Sequence, residues 1–431
     1  MVKYSRRDFL KASSLSLAGL AAGLSPLGQL ALHAQDGNLS LQTWGHFISS
    51  FNDSLTSLSN SWATGAGTGI DINFTGFDGL ADTLATAAAT GAGPDLIMML
   101  HARPHQYAEA LADVSDVVEE VGEVNGGWYD IAKEACMVDG VWRAMPWFLA
   151  AHAMIYREDQ FAEVGYDAFP DTWEGLLEAG TKLKAMGAPL GFSTGRADGD
   201  ANNFCFSVLW SFGGGVTDAD NVIILDSPET RAALEFTQQL YNDAMTESTT
   251  SWDDGANNRA FLAGEVSCTN NASSVLWAGR RDQIDFMATT NHAQYPAGPA
   301  GRVQYSQVHS VGVLGSSENI DAAKDYLRYI NSEEVWLPMG VQTTAFNYPL
   351  FHNFEDNPAM PWNFDAKLSA FKGLAETGHT VGYPGKPSAA ASEVTSSFVI
   401  TDMFGSVCAG AASIDDAIAT AVEQIEDIYN S

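Results

Sequence analysis

Between Val141 and Leu183 the chain reads VWRAMPWFLAAHAMIYREDQFAEVGYDAFPDTWEGLLEAGTKL, and no other stretch constrains the fold as much. Pro146 fixes its own φ and biases Met145 toward an extended conformation, so the apolar run from Met145 to Leu149 is expected to cross the molecule as an extended segment. Ala150 to Tyr156 is expected to continue it as a buried strand. Pro170-Asp171-Thr172-Trp173 then opens a helix: Asp171 or Thr172 can cap it, and Trp173, Leu176, Leu177, Gly180 and Leu183 fall on one face. Gly187 and Pro189 stop it. With 431 residues in the chain there is material for two lobes, each with its own core, and a single small domain is excluded.

The chain before this crossing reads as strand, helix, strand. Leu39 to Trp44 forms the first strand and leads to a loop holding Gly45, His46 and Phe47. After a turn at Gly65–Gly69, Ile70, Ile72 and Phe74 alternate with polar residues as a half-buried strand does. Leu80, Leu84, Ala87 and Ala88 mark a helical face ended by Gly91 and Gly93. The unbroken apolar run Leu96 to Leu100 predicts a parallel strand buried on both faces, so the order is a βαβ unit. Further on, Ser227 caps and Pro228 opens a helix carrying Ala233, Phe236, Leu240 and Tyr241. Val303 to Leu314 reads as a second crossover, Ile320 to Ile330 as a helix, and Thr343 to Leu350 as a third connection. Ser413 caps a final helix with Ile414, Ala417, Ile418, Val422, Ile425 and Ile428 on one face.

Residues 1–34 have the layout of a twin-arginine export signal, with Arg6 and Arg7 followed by a Gly- and Ser-interrupted apolar stretch to Leu32. Cleavage is expected after Ala34, and the first Cys is Cys136, so no lipid-attachment cysteine lies near that point. The expected product is a freely soluble periplasmic monomer. The whole chain carries a formal charge of −32, which excludes nucleic acid and anionic lipid as partners. Without residues 1–34 it holds 17 basic and 52 acidic residues, a charge of −35 that suits a saline habitat. Cys136, Cys205, Cys268 and Cys408 allow three disulfide pairings, or serve as small buried apolar thiols.

Chemistry is sparse. His101 and His105 stand four apart, but Pro104 between them opposes the helix that would present both to one metal, so no metal site and no cofactor are expected. The doublets Glu119-Glu120, Asp253-Asp254, Glu333-Glu334 and Asp415-Asp416 point apart on any regular element and read as solvated surface. Nucleophile-elbow, zinc-protease and phosphate-loop motifs are absent, and no catalytic residue is assigned. What stands out is 11 Trp, 13 Tyr and 22 Phe, many beside Gly, Asn or Pro. A flat apolar face with a polar edge matches a sugar ring, whose C–H patches are rimmed by hydroxyls.

Gly140, Trp142, Pro146, Tyr156, Phe161, Gly165, Pro170, Thr172, Trp173 and Leu176 together resemble the family 1 extracellular solute-binding proteins of ABC importers, the group of maltose- and other sugar-binding proteins. Arg157 replaces their usual Asn. Gly69-Ile70-Asp71-Ile72, Gly91 to Leu96, Asp226-Ser227-Pro228-Glu229, the Phe261 to Val266 element and Trp277 extend the likeness, while Cys268 departs from their usual Met. The resemblance implies an α/β, two-lobed periplasmic binding protein fold of type II, each lobe a mixed sheet flanked by helices, with three hinge crossings. Lobe I is then residues 36–145 with 305–345, and lobe II residues 146–304 with 346–431. It implies capture of a sugar or oligosaccharide in the cleft and delivery to an inner-membrane ABC permease complex. By position in the family the ligand-binding candidates are Trp44, His46, Asp78 and Trp147, faced by Trp210, Trp252, Asn271, Trp277 and His309. Two alternatives remain: the same fold binding a phosphorylated polyol or other anion, and a secreted carbohydrate-active enzyme.

Overall fold

The structure of the protein, a computed structural model, describes residues 38–431, so the segment expected to be an export signal lies outside them. The first sheet begins with β1 (Leu39–Trp44), β2 (Ile70–Thr75) and β3 (Leu96–Leu100), all parallel, with β1 in the middle. Helices Ser49–Ala66 and Phe77–Thr90 link them, as the alternating pattern requires. Gly67 and Gly91 end these helices at φ 71 and 69, a left-handed turn that only glycine takes without strain. β3 is buried along its whole length.

A short hairpin of β4 (Met137–Val138) and β5 (Val141–Trp142) precedes β6 (Met145–Ala150). β6 lies in the first sheet, whose order is β12-β6-β11-β3-β1-β2, with β11 (Gln307–Val313) antiparallel to both β3 and β6, and β12 (Asn347–Tyr348) antiparallel to β6. Proline is rare inside a sheet because it has no N–H for the ladder, and Pro146 faces β11 on one side while β12 pairs only with Leu149 and Ala150. The register accommodates it: His309 faces Phe148 while the next residue, Ser310, already faces Pro146, so Trp147 is the extra residue of a bulge.

The second sheet is β8-β7-β9, formed by β7 (Ala153–Arg157), β8 (Cys268–Asn271) and β9 (Thr290–Ala293), all antiparallel. Its helices include Trp173–Ala185, Asp200–Ser211, Pro228–Ala244, Val399–Cys408 and Ile414–Tyr429. Thr172, Ser227 and Ser413 cap three of these through side-chain oxygens that accept N–H bonds from Gly175, Thr230 and Asp416, as the sequence predicts.

The strand expected from Ala150 to Tyr156 is interrupted at Ala151 and His152, where the chain leaves the first sheet for the second. The crossover expected from Val303 to Leu314 is also two strands: β10 (Gln304–Tyr305) pairs with β13 (Gly378–His379), and the chain re-enters the first sheet after Ser306. The third passage is not at Thr343–Leu350. β12 belongs to the first sheet, and residues as far as Leu374 and Ala375 pack on its core, whereas Val381 packs on the second. Residues 346–362, expected in the second lobe, thus stay with the first because Phe346, Tyr348, Phe351 and Phe354 are buried there, whereas the turn Ala366–Phe371 packs on β9 of the second sheet, Phe371 lying 4.9 Å from His292. The three passages lie side by side: Gln304 Nε2 donates to the His152 carbonyl at 2.7 Å and Ser306 N–H to the His379 carbonyl at 2.8 Å.

One apolar core surrounds the first sheet, and a second, built on Trp173, Phe192, Phe204, Trp210, Leu234 and Phe404, fills the other lobe. The first core runs on through Ile155, Phe261, Val275 and Leu276, so one face of the second sheet packs into it. All four cysteines are buried free thiols, and burial, against the pull of Ser310, pushes the Cys136 thiol up to about 12. Among the described residues no helix is long and apolar enough to cross a membrane.

Candidate functional site

Parallel strands deliver their C-terminal ends to one edge, and in open α/β sheets that edge is where ligands bind. Here β1 ends in Trp44, β2 runs into Phe77 and β3 into His101. Trp44 stacks on Phe77 with ring centroids 4.8 Å apart, and Phe346 closes a further side at 5.8 Å. β11 supplies His309, stacked on Phe148 at 4.6 Å and lying 5.9 Å from Trp44 and 6.3 Å from Phe77. The bulge at Trp147 is what brings Phe148 opposite His309.

The two histidines in this ring cluster differ in one respect. His46 accepts the Ile48 N–H at Nδ1 (2.9 Å), so its proton is on Nε2, which donates to Asn347 Oδ1 (3.0 Å). Burial lowers its pKa to about 3, and it stays neutral. His309 is fully buried, and neither ring nitrogen has a hydrogen-bond partner; Gln307 Nε2, two residues earlier on the same face of β11, is also buried and unpartnered. An unmade buried hydrogen bond costs about 1–3 kcal/mol. Burial, reinforced by His101, His46 and His152, holds His309 well below the ordinary histidine range.

Next to this cluster lies a buried belt of charge between the two sheets. His101 takes a left-handed backbone (φ 57) at the end of β3 and donates Nε2–H to Asp198 at 3.1 Å, while the Tyr305 hydroxyl donates to its Nδ1. A histidine in that conformation needs surrounding contacts to hold it, and these are such contacts. Arg103 Nη2 reaches the other Asp198 oxygen at 3.1 Å. Burial would raise the Asp198 carboxyl, but the charge of Arg103 and the hydrogen bond from His101 outweigh it and hold it well below the usual carboxylate range. His152 Nε2 stands 3.4 Å from Asp200, whose carboxyl burial pushes up against the pull of that histidine.

Asp254 accepts the backbone N–H groups of Asp198, Gly199 and Asp200 at 2.9–3.0 Å and so fixes the loop that opens helix Asp200–Ser211. Burial, then repulsion from Asp200, pushes its carboxyl up to about 8. The loop packs closely, since a Cβ at Gly199 would lie 3.1 Å from Asp254 and 3.6 Å from Gln307 Oε1. Gln307 of the first sheet therefore lies close to the loop of the second lobe. Among the described residues no group of three His, Cys, Asp or Glu is placed to hold a metal. A surface hollow near Asn38, Asn60 and Thr68 contains none of these side chains.

Of the residues expected at the site, the structure brings together Trp44, His46 and His309. Trp147 is instead buried in the first core, its ring 5.6 Å from Phe51 and 5.2 Å from Phe148, and it makes no ring contact with Trp44, Phe77 or His309. Trp210 is in the second core against Phe206, Tyr305 and Tyr383. Trp252 covers Gly191 and donates its indole N–H to Ser248, which makes it a packing residue. Asp78 is exposed in the first turn of its helix, and Asn271 is engaged with Asn258 and Ser274. Trp277 is half-buried, with the Arg281 guanidinium 4.8 Å above its ring. Asp254, read as solvated surface, is half-buried and fully engaged. His101, His152, Asp198, Asp200 and Gln307 were missed as site residues, because only the fold shows that segments about a hundred residues apart meet.

Together, two α/β lobes joined by three adjacent passages, with a polar and aromatic site where the passages run, define a two-lobed binding-protein fold. Solved structures share it. The maltose-bound MalE3 of T. maritima superposes with a TM-score of 0.80 at 22% identity, covering 91% of this chain and 99% of that one. A solute-binding protein of Thermotoga lettingae bound with α-D-tagatose gives 0.79 at 19% identity over 91% and 99%. A probable ABC transporter-binding protein of Deinococcus radiodurans is 26% identical over 215 residues, 48% of this chain and 51% of its own length. The chain spans about half the length of the curated relatives it matches. Residues 54–336 match the family described as bacterial extracellular solute-binding protein, and the chain belongs to that family.

Proposed function

We propose that this protein captures a carbohydrate between its lobes and hands it to an ABC transporter in the membrane, after export to the periplasm by the twin-arginine route. The observation that carries the reading is the pair of unpartnered buried side chains, Gln307 and His309, set among Trp44, Phe77 and Phe148 at the strand edge. Aromatic faces suit the C–H patches of a sugar, and polar groups among them fix its orientation. Maltose and tagatose in the related structures support a sugar-like ligand. The three adjacent passages then act as a hinge, and closure around the ligand presents one shape to the transporter. The reading requires a monomer, no cofactor and no catalysis.

A thermal-shift screen over mono- and oligosaccharides tests it: a ligand at about 100 times its Kd stabilises by about 2.7 kcal/mol. Conversion of any glycan into products would replace this reading with a carbohydrate-active enzyme.

A further inference from the structure

We infer that the site selects uncharged polyhydroxylated ligands over their phosphorylated or carboxylated counterparts, with Gln307 and His309 as the residues that orient the bound molecule. The inference rests on the carbohydrate reading and narrows it.

The hydrogen-bonding inventory comes first. Gln307 and His309 are two apart on β11, so their side chains share one face, and that face meets the rings of Phe148, Trp44 and Phe77. Between them, Gln307 Nε2 and both His309 nitrogens have no protein partner. A neutral imidazole offers one N–H donor and one bare acceptor nitrogen, and the amide adds a donor. Neighbouring hydroxyls, each able to give and to accept, match that mixed set. A phosphate or carboxylate accepts only and would leave the bare nitrogen facing an oxygen lone pair. His46 cannot fill the role, because Ile48 and Asn347 already occupy both of its nitrogens.

The second argument is charge. Asp198, Asp200 and Asp254 line the adjoining belt, and Arg103 is the basic side chain set among them, its Nη2 committed to Asp198. Anion recognition relies on free guanidinium or ammonium groups. An anion entering here would give up its hydration without a free cation to receive it, because Arg103 is already committed to Asp198. An uncharged polyol meets no such barrier.

The test uses the mature protein and matched probes: maltose and maltose 1-phosphate, tagatose and tagatose 6-phosphate, glucose and glucuronate, each titrated calorimetrically. At least one uncharged member is expected to bind, with its anionic partner weaker by about a hundredfold, the scale of a buried charged group left without a partner. An anionic member that binds as tightly as its partner, or more tightly, overturns the inference while leaving the carbohydrate reading intact. Silence from every probe counts against the carbohydrate reading, and the inference falls with it. The residue assignment has its own readout. His309→Phe keeps the stack on Phe148 and removes both nitrogens, and Gln307→Leu removes the amide. Each is expected to lose about tenfold or more in affinity, while the melting temperature holds or rises, since an unpartnered buried polar group is gone. A purely structural role gives the reverse, lower melting with affinity retained, and that result in the variants that fold overturns the assignment.

Discussion

Replacing Asp198 by Asn probes the buried belt between the lobes. The Asp198 side chain is 7% exposed and accepts from His101 and Arg103, each at 3.1 Å, with the Arg103 side chain 6% exposed. Asparagine keeps one acceptor oxygen but turns an NH2 group toward one of two donors and leaves the guanidinium buried without its counter-charge. Breaking a buried pair from one side costs about 3–5 kcal/mol. The folded carboxyl titrates below its ordinary range, so its contribution is fully present above the unfolded value of about 3.9 and is lost as pH falls toward the folded value. Urea melts of wild type and variant at pH 7 are therefore expected to differ by about 3–5 kcal/mol, and the gap to narrow as the pH is taken below about 4. Adding Arg103→Met removes the stranded cation and should restore much of the loss. A single variant within about 0.5 kcal/mol of wild type, or a double variant no more stable than the single, would refute the argument.

Other outcomes follow from the same contacts. Phe77→Ala removes a half-buried ring stacked on Trp44 and is expected to weaken sugar binding about tenfold by calorimetry, stacked rings being worth about 0.5–1.5 kcal/mol beyond their area. Trp252→Ala should cost about 3–5 kcal/mol of stability and leave the affinity of the folded fraction unchanged, because that indole packs on Gly191. With a net charge of −32, the protein should melt at a higher temperature in about 1 M salt, where the Debye length is about 3 Å, than in 0.1 M, where it is about 10 Å. Replacing Arg6 and Arg7 by Lys should hold the precursor in the cytoplasm, read by fractionation.

Much of the fold was legible in the chain because its signals are local. The unbroken run Leu96 to Leu100 points to a strand buried on both faces, and Thr172, Ser227 and Ser413 each cap the helix that follows. The passages between lobes were harder. Nothing in Ala150-Ala151-His152 punctuates the apolar run, and the short turns from His352 to Phe371 carry no periodicity to show which core they join. Trp44 was placed by its position after the first strand and His309 by its position in the second crossing, and the structure sets their rings 5.9 Å apart. Aromatic type alone could not say that Phe148, and not Trp147, stacks on His309. Nor could an acidic doublet in an acidic chain show that Asp254 holds three backbone N–H groups while Asp253 is exposed.

The central claim is that two preformed lobes close on a ligand about the passages at Ala151-His152, Ser306 and residues 376–380. Small-angle scattering of the mature protein, with and without a saturating sugar from the screen, tests it most directly. The radius of gyration should fall on binding while helix content by circular dichroism stays constant, since closure expels water from the cleft without refolding either core. A sugar that binds tightly and leaves the radius of gyration unchanged would contradict the account.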